Sequence, residues 1–150
     1  MTSPVDQAER AAAIAPTRSF CVSAPAGSGK TELLIQRYLG LLSRVARPEQ
    51  VLAITFTRKA AAEMRERVIE ALESARGGEP CDSPHQQVTR TLAEQVLAAD
   101  ERGDWHLVRD ISRLNIKTID SFCSGLTRQM PVLSQMGGQA GVQDLSLIHI

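Results

Sequence analysis

Apolar residues recur along the chain with two different periods, and the alternation between them sets the predicted order of elements. Residues 5–15 carry an alanine-rich helical pattern that Pro16 stops. Residues 19–23 (SFCVS) form a short β-prone run, followed at once by the small-residue stretch APAGSGKT. Beyond it Leu34, Tyr38, Leu41 and Leu42 fall at i, i+4, i+7 and i+8, the apolar stripe of a helix that ends around 44–47, ahead of Pro48. Residues 51–56 (VLAITF) read as a second strand of the buried type. Ala61, Met64, Val68, Ala71 and Leu72 then share one face of a long helix, with Glu63 and Arg67 placed to pair at i, i+4, until Gly77 and Gly78 end it. Residues 77–84 (GGEPCDSP) are turn-forming, after which Val88, Leu92, Val96 and Ala99 restore helical spacing. A short helix over 105–114, a third strand over 115–118 and a helix over 120–129, closed by Pro131, complete the pattern. Strands alternating with helices across 150 residues predict one α/β domain with a parallel sheet flanked by helices.

Composition narrows the class. A hydrophobic fraction of 43% and a charged fraction of 23% belong to a chain that buries a core. No run approaches the ~18 apolar residues of a membrane span, and the N-terminus, with Asp6 and Glu9, lacks the basic-then-apolar pattern of a signal peptide. Seventeen basic residues balance seventeen acidic ones, so any site for a polyanion must be local. Cys21, Cys81 and Cys123 show no paired spacing and are expected to be reduced thiols of a cytoplasmic protein. His85, His106 and His149 have no partner at ligand spacing, and no nucleophile–base arrangement is visible.

The chemistry concentrates in Ala24, Pro25, Ala26, Gly27, Ser28, Gly29, Lys30 and Thr31, which match the phosphate-loop pattern G-x-x-x-x-G-K-[ST] except that Ala24 replaces the first glycine. Small residues let successive backbone N–H groups turn inward as an anion nest, and the helix that follows adds the positive end of its dipole. Lys30 would reach the β- and γ-phosphate oxygens, the Thr31 hydroxyl would be a ligand of Mg2+, and a side chain at Gly29 would intrude on phosphate space. The plain alternative is an ordinary Gly/Ser turn ahead of a helix. A β-prone run before it and an amphipathic helix after it favour nucleotide binding.

Three stretches in order, APAGSGKT, TFTRKAAAEMR from Thr55 and TIDSFC from Thr118, resemble motifs I, Ia and Ib of the UvrD/Rep group of superfamily 1 DNA helicases. The wording TFTRKAAAEM and TIDSFC, separated by a long insertion, is most similar to the RecB/AddA branch, the motor-nuclease chains of double-strand-break repair. The resemblance covers residues 5–131. It implies a P-loop NTPase (RecA-like) lobe that uses ATP and Mg2+ and acts on single-stranded DNA and duplex ends, with a possible second helicase-nuclease subunit. Gln7, 23 residues before Lys30, matches the group's Q motif, in which the amide's paired donor and acceptor read the adenine edge. A solvent-facing glutamine is the alternative. Position 32, often basic in close relatives, is Glu32 here, so an extra phosphate contact is not expected from that site.

On the DNA side the resemblance assigns Phe56 to a base, Thr57 to a phosphate and Arg58, with Lys59, to charge beside it. From spacing alone a phenylalanine at a strand end is a core residue and Thr57 a helix cap, so both roles stay open. Thr118 and Ser121 match motif Ib as backbone contacts. Asp120 stands where many relatives carry histidine, and a carboxylate cannot donate to phosphate, so capping of the next helix is expected of it. Arg128 is either a further phosphate contact or a solvated arginine. The run 96–101 (VLAADE) imitates a Walker B strand but has helical periodicity.

Within this reading residues 1–131 are the N-terminal part of the motor lobe, 76–114 a helical insertion and 132–144 the start of the next subdomain. The Walker B carboxylates, the arginine that stabilises the transferred phosphoryl group and a second lobe are not found in the sequence. Residues 145–150 (LSLIHI) translate CTG TCT CTT ATA CAC ATC, a transposon-end adaptor of sequencing libraries, and are expected to be foreign; a natural apolar terminal strand is the alternative. The sequence therefore points to a fragment of an ATP-dependent DNA helicase, with a small P-loop kinase and a nucleotide-dependent binding module as rivals.

Overall fold

The computed structural model describes residues 7–23, 25 and 27–130. Ala24 and Ala26, and the stretches expected as the start of the next subdomain (132–144) and as a foreign tail (145–150), lie outside the described residues. The elements are α1 (Gln7–Ile14), α2 (Lys30–Leu42), β1 (Ala53–Thr55), α3 (Arg58–Gly77), α4 (Pro84–Gly103), β2 (Ile116–Thr118) and α5 (Ile119–Gln129). Single 3-10 turns at Pro48–Gln50 and Ile111–Arg113 precede the two strands.

Local chemistry explains the helix ends. The Thr57 hydroxyl accepts a hydrogen bond from the Ala60 N–H at 3.1 Å and starts α3, while Gly78, at φ 69°, closes it in the left-handed conformation. Glu63 and Arg67 pair across one turn of α3 at 3.4 Å. Helix α4 opens on a reciprocal cap between Ser83 and Gln86 with Pro84 at its first position.

β1 and β2 are parallel neighbours, with Ala53 opposite Ile116, Ile54 opposite Lys117 and Thr55 opposite Thr118. The chain between them runs through α3 and α4, so this crossover carries two helices. The core lies where α2, α3 and α4 meet over one face of the pair: Leu39, Leu42, Val68, Leu72, Val96 and Ile116 are fully buried there. At about 1.5–3 kcal/mol for each such side chain, these contacts hold the two strands and three helices together. Helix α4 contributes Ala93, Val96 and Ala99 to this core.

Several expectations are corrected. Residues 19–23 form no strand, since a strand needs a ladder partner and none lies beside them among the described residues. Phe20 is held instead beneath the guanidinium groups of Arg18 and Arg37, each 5.6 Å from its ring centre. The strand around 51–56 is not buried on both faces, because Ile54 is half exposed. In α2 the inward face is Ile35, Tyr38, Leu39 and Leu42, not the stripe that began at Leu34, which is 54% exposed. Val88 likewise faces out of α4. No α-helix forms over 105–114: Asp104 and His106 adopt positive φ, the Asp100 carboxylate accepts from the Leu107 N–H at 3.0 Å, and the chain wraps around the buried Trp105. Residues 96–101 lie within α4.

Candidate phosphate loop and nucleic-acid interface

The candidate phosphate loop is shaped by backbone handedness. Gly27 and Gly29 have φ of 78° and 80°, and Ser28 between them has negative φ. Alternating handedness turns successive N–H groups toward one side, which is the geometry of an anion nest. Gly29 is also the N-cap of α2, so the nest opens onto the positive end of a 13-residue helix. Lys30 begins that helix, and its ammonium donates to the Pro25 carbonyl oxygen at 3.0 Å across the loop. Thr31 follows, exposed in the first turn. The structure supplies a local reason for glycine at position 29. Its φ is left-handed, and an added Cβ would stand 3.3 Å from Nη1 of Arg10.

Helix α1 is joined to this loop through Arg10 and to α2 through its carboxyl end. Arg10 donates through Nη2 to the Ser28 carbonyl oxygen at 2.5 Å. Arg37, from the middle of α2, donates to the carbonyl oxygen of Ala13 in the last turn of α1 at 2.5 Å, and to those of Ala15 at 3.0 Å and Arg18 at 2.8 Å in the chain that follows it. Between α1, residues 20–23 and the start of α2 lies a cavity of about 350 Å3, lined by Arg10, Ala13, Phe20, Val22, Ser28 and Leu33 among others. Gln7, exposed at the start of α1, is not among its lining residues. Glu32 turns away from the loop: its carboxylate accepts from the Thr89 hydroxyl of α4, which also accepts from the buried Gln36 at 3.0 Å.

The residues present suit a magnesium nucleotide. Ser28 Oγ is buried without a hydrogen-bond partner, so a hydroxyl donor is left over inside the loop. No Cβ contact within 4 Å restricts the space at Gly27. Backbone donors, a lysine and two hydroxyls match phosphate oxygens and a hard cation and would not favour a neutral ligand.

The second group of candidates gathers at the carboxyl ends of the two strands. Because β1 and β2 are in register and each runs directly into a helix, the N-termini of α3 and α5 stand side by side. Phe56 projects there with 88% of its surface exposed, next to the exposed Thr57, Arg58 and Lys59. Thr57 caps α3, so its oxygen accepts from backbone while its hydroxyl proton stays available for a further acceptor. Thr118 does the same for α5, accepting from the Ser121 N–H at 3.2 Å, and it rather than Asp120 is the cap. At 9% exposure Thr118 is far less accessible than Ser121, which is open to solvent. Arg128 is exposed near the far end of α5.

Sequence patterning missed the roles of Arg10, Arg37 and Arg65. Arg65 of α3 donates to the Ile116 carbonyl oxygen of β2. All three are arginines whose partners are backbone carbonyls at least 18 residues away, and carbonyls carry no side-chain signal. Elsewhere, burial pushes the Tyr38 phenol well above its ordinary range, although Arg65 nearby opposes the shift. Among the described residues no group of three or more His, Cys, Asp or Glu side chains could hold a metal, and no helix is long and apolar enough to cross a membrane.

A family profile described as the UvrD/REP helicase N-terminal domain matches residues 5–144. An ATP-dependent helicase/nuclease subunit of Desulforamulus reducens is 39% identical over 127 residues, which cover 81% of this chain and 9% of that protein. The protein of the same name from Desulfitobacterium hafniense is 35% identical over 149 residues, covering 96% and 9%. DNA helicase II of Escherichia coli is 34% identical over 109 residues, covering 72% and 15%. The chain thus spans about a tenth of the length of the helicase/nuclease relatives it matches.

Proposed function

The chain belongs to the UvrD/REP helicase family, and from that premise we propose that it is the nucleotide-binding part of an ATP-dependent DNA helicase of the helicase/nuclease kind. The observation that carries the reading is the alternating backbone handedness at Gly27, Ser28 and Gly29 directly ahead of α2. In a RecA-like lobe of this type, the loop from Ala24 to Gly29 would surround the phosphates and Gln7 would read the adenine edge. Lys30 would balance charge on the β- and γ-phosphates, and the Thr31 hydroxyl would hold Mg2+. Bound Mg-ATP supplies the phosphoryl-transfer free energy that such a motor spends on moving along DNA.

Phe56, Thr57, Arg58, Thr118 and Ser121 would meet single-stranded DNA. An exposed ring accepts any base by stacking, and adjacent helix N-termini with hydroxyls accept any phosphate, which is the sequence tolerance a translocating motor requires. Duplex DNA ends, a cytoplasmic setting and a second helicase-nuclease subunit complete the proposal. Residues 76–114 are the helical insertion of the lobe and 132–144 the approach to its next subdomain.

Calorimetric titration of the chain with Mg-ATP tests the reading. Measurable binding is expected, and Lys30→Ala should weaken it at least tenfold while the unfolding midpoint stays where it was. Absence of binding by the unmodified chain, or equal binding by Lys30→Ala, would overturn it.

A further inference from the structure

We propose that Arg10 is a positioning residue that sets the plane of the Ser28–Gly29 peptide and thereby aims the Gly29 N–H into the phosphate nest; the inference rests on the nucleotide-binding reading of the loop. Its basis is the 2.5 Å bond from Arg10 Nη2 to the Ser28 carbonyl oxygen. In a planar trans peptide the C=O and the following N–H point in opposite directions. Holding the Ser28 carbonyl toward α1 therefore turns the Gly29 N–H away from α1. Covalent structure alone would not fix that direction. Rotating this peptide plane by half a turn changes ψ of Ser28 and φ of Gly29, and glycine accepts either sign of φ at little cost. At the observed φ of 80° for Gly29, Arg10 supplies a restraint on this plane from outside the loop.

The restraint is itself well supported. Arg37 ties the carboxyl end of α1 to α2 through the Ala13 and Ala15 carbonyls, so the helix that carries Arg10 is fixed to the helix the loop feeds. The Arg10 guanidinium also lies where a Cβ on Gly29 would approach it, so glycine at 29 and arginine at 10 fit each other. Gln7 sits one turn before Arg10 on α1. The proposed reader of the base and the tether of the phosphate loop therefore ride on one helix, which gives the protein a means of linking base recognition to the shape of the phosphate cradle.

Two measurements on the full 150-residue chain test this. Labelling serine with carbonyl 13C and glycine with 15N gives amide cross-peaks only for Ser28–Gly29 and Ser124–Gly125, so the second pair serves as an internal control. In ligand-free protein, Arg10→Met, which keeps the aliphatic stem but no donor, should move or split the Ser28–Gly29 peak and leave Ser124–Gly125 in place. Arg10→Lys should restore much of the original position. Calorimetry then compares Mg-ATP with Mg-tripolyphosphate. Arg10→Met should weaken both by a similar factor of about ten or more, the loss expected for one charge-assisted hydrogen bond, whereas Gln7→Ala should weaken ATP alone. An unmoved Ser28–Gly29 peak in Arg10→Met would overturn the proposal, as would loss of ATP affinity with tripolyphosphate affinity intact. If the peak moves but the unmodified chain binds neither ligand, the tether stands and the nucleotide reading falls.

Discussion

Replacing Phe56 by alanine separates the two roles a strand-end phenylalanine can play. Full burial of such a side chain is worth about 1.5–3 kcal/mol, and Phe56 keeps 88% of its surface exposed, so its contribution to folding should be only ~0.2–0.4 kcal/mol. A base stacked on the ring contributes ~1–3 kcal/mol, which is roughly a 5- to 150-fold change in Kd. The single tryptophan, Trp105, is 3% exposed in the core, so its fluorescence during urea unfolding reports folding stability. Anisotropy of a labelled oligothymidylate reports DNA affinity in the same sample. Phe56→Ala is expected to keep the unfolding free energy within ~0.5 kcal/mol and to lose DNA affinity in the stated range, with Mg-ATP affinity unchanged. A stability loss above ~2 kcal/mol with unaltered DNA affinity would refute the reasoning. It would mean that the strand face shared by Leu52, Ile54 and Phe56 is covered in solution.

Two further predictions concern the core. Because burial raises the Tyr38 pKa, the unfolded chain loses this proton near pH ~10 while the folded chain retains it, so the contribution is complete below that pH and is lost as pH rises beyond it. Unfolding free energy should therefore fall above pH ~10 by up to ~1.4 kcal/mol per unit, and less steeply in Tyr38→Phe; equal slopes would contradict the assignment. A Cβ on Gly103 would fall inside the indole of Trp105, so Gly103→Ala should destabilise by about 1–3 kcal/mol in the same urea assay and shift the tryptophan emission toward that of an exposed ring.

Local chemistry carried much of this protein in its sequence. Helix α3 could be read from Ala61, Val68 and Leu72 along its inward face and from Gly78 at its end, because a 3.6-residue period and a left-handed cap are properties of the chain itself. The backbone shape of the candidate loop was equally legible: glycines at 27 and 29 permit the positive φ values found there, and Lys30 follows at once at the start of α2. The parallel relation of the strands at 53–55 and 116–118 followed from the helices between them.

What the sequence left open depended on partners far along the chain. Leu34 is exposed while Gln36 is buried, an inversion of their hydropathy that arises because α4 lies over α2 and offers Gln36 the Thr89 hydroxyl and the His85 carbonyl, 53 and 49 residues away. Periodicity defines a face but not which neighbour covers it. Residues 19–23 have a strand's composition without a strand's ladder, since pairing is a relation between segments and not a property of one. The chain around Trp105 left the expected helix because burying the indole and bonding its N–H to the Ala46 carbonyl at 3.2 Å outweighed local propensity. Arg10, Arg37 and Arg65 acquired their roles from backbone carbonyls, which every residue possesses, so only tertiary folding could decide which of them each guanidinium would reach.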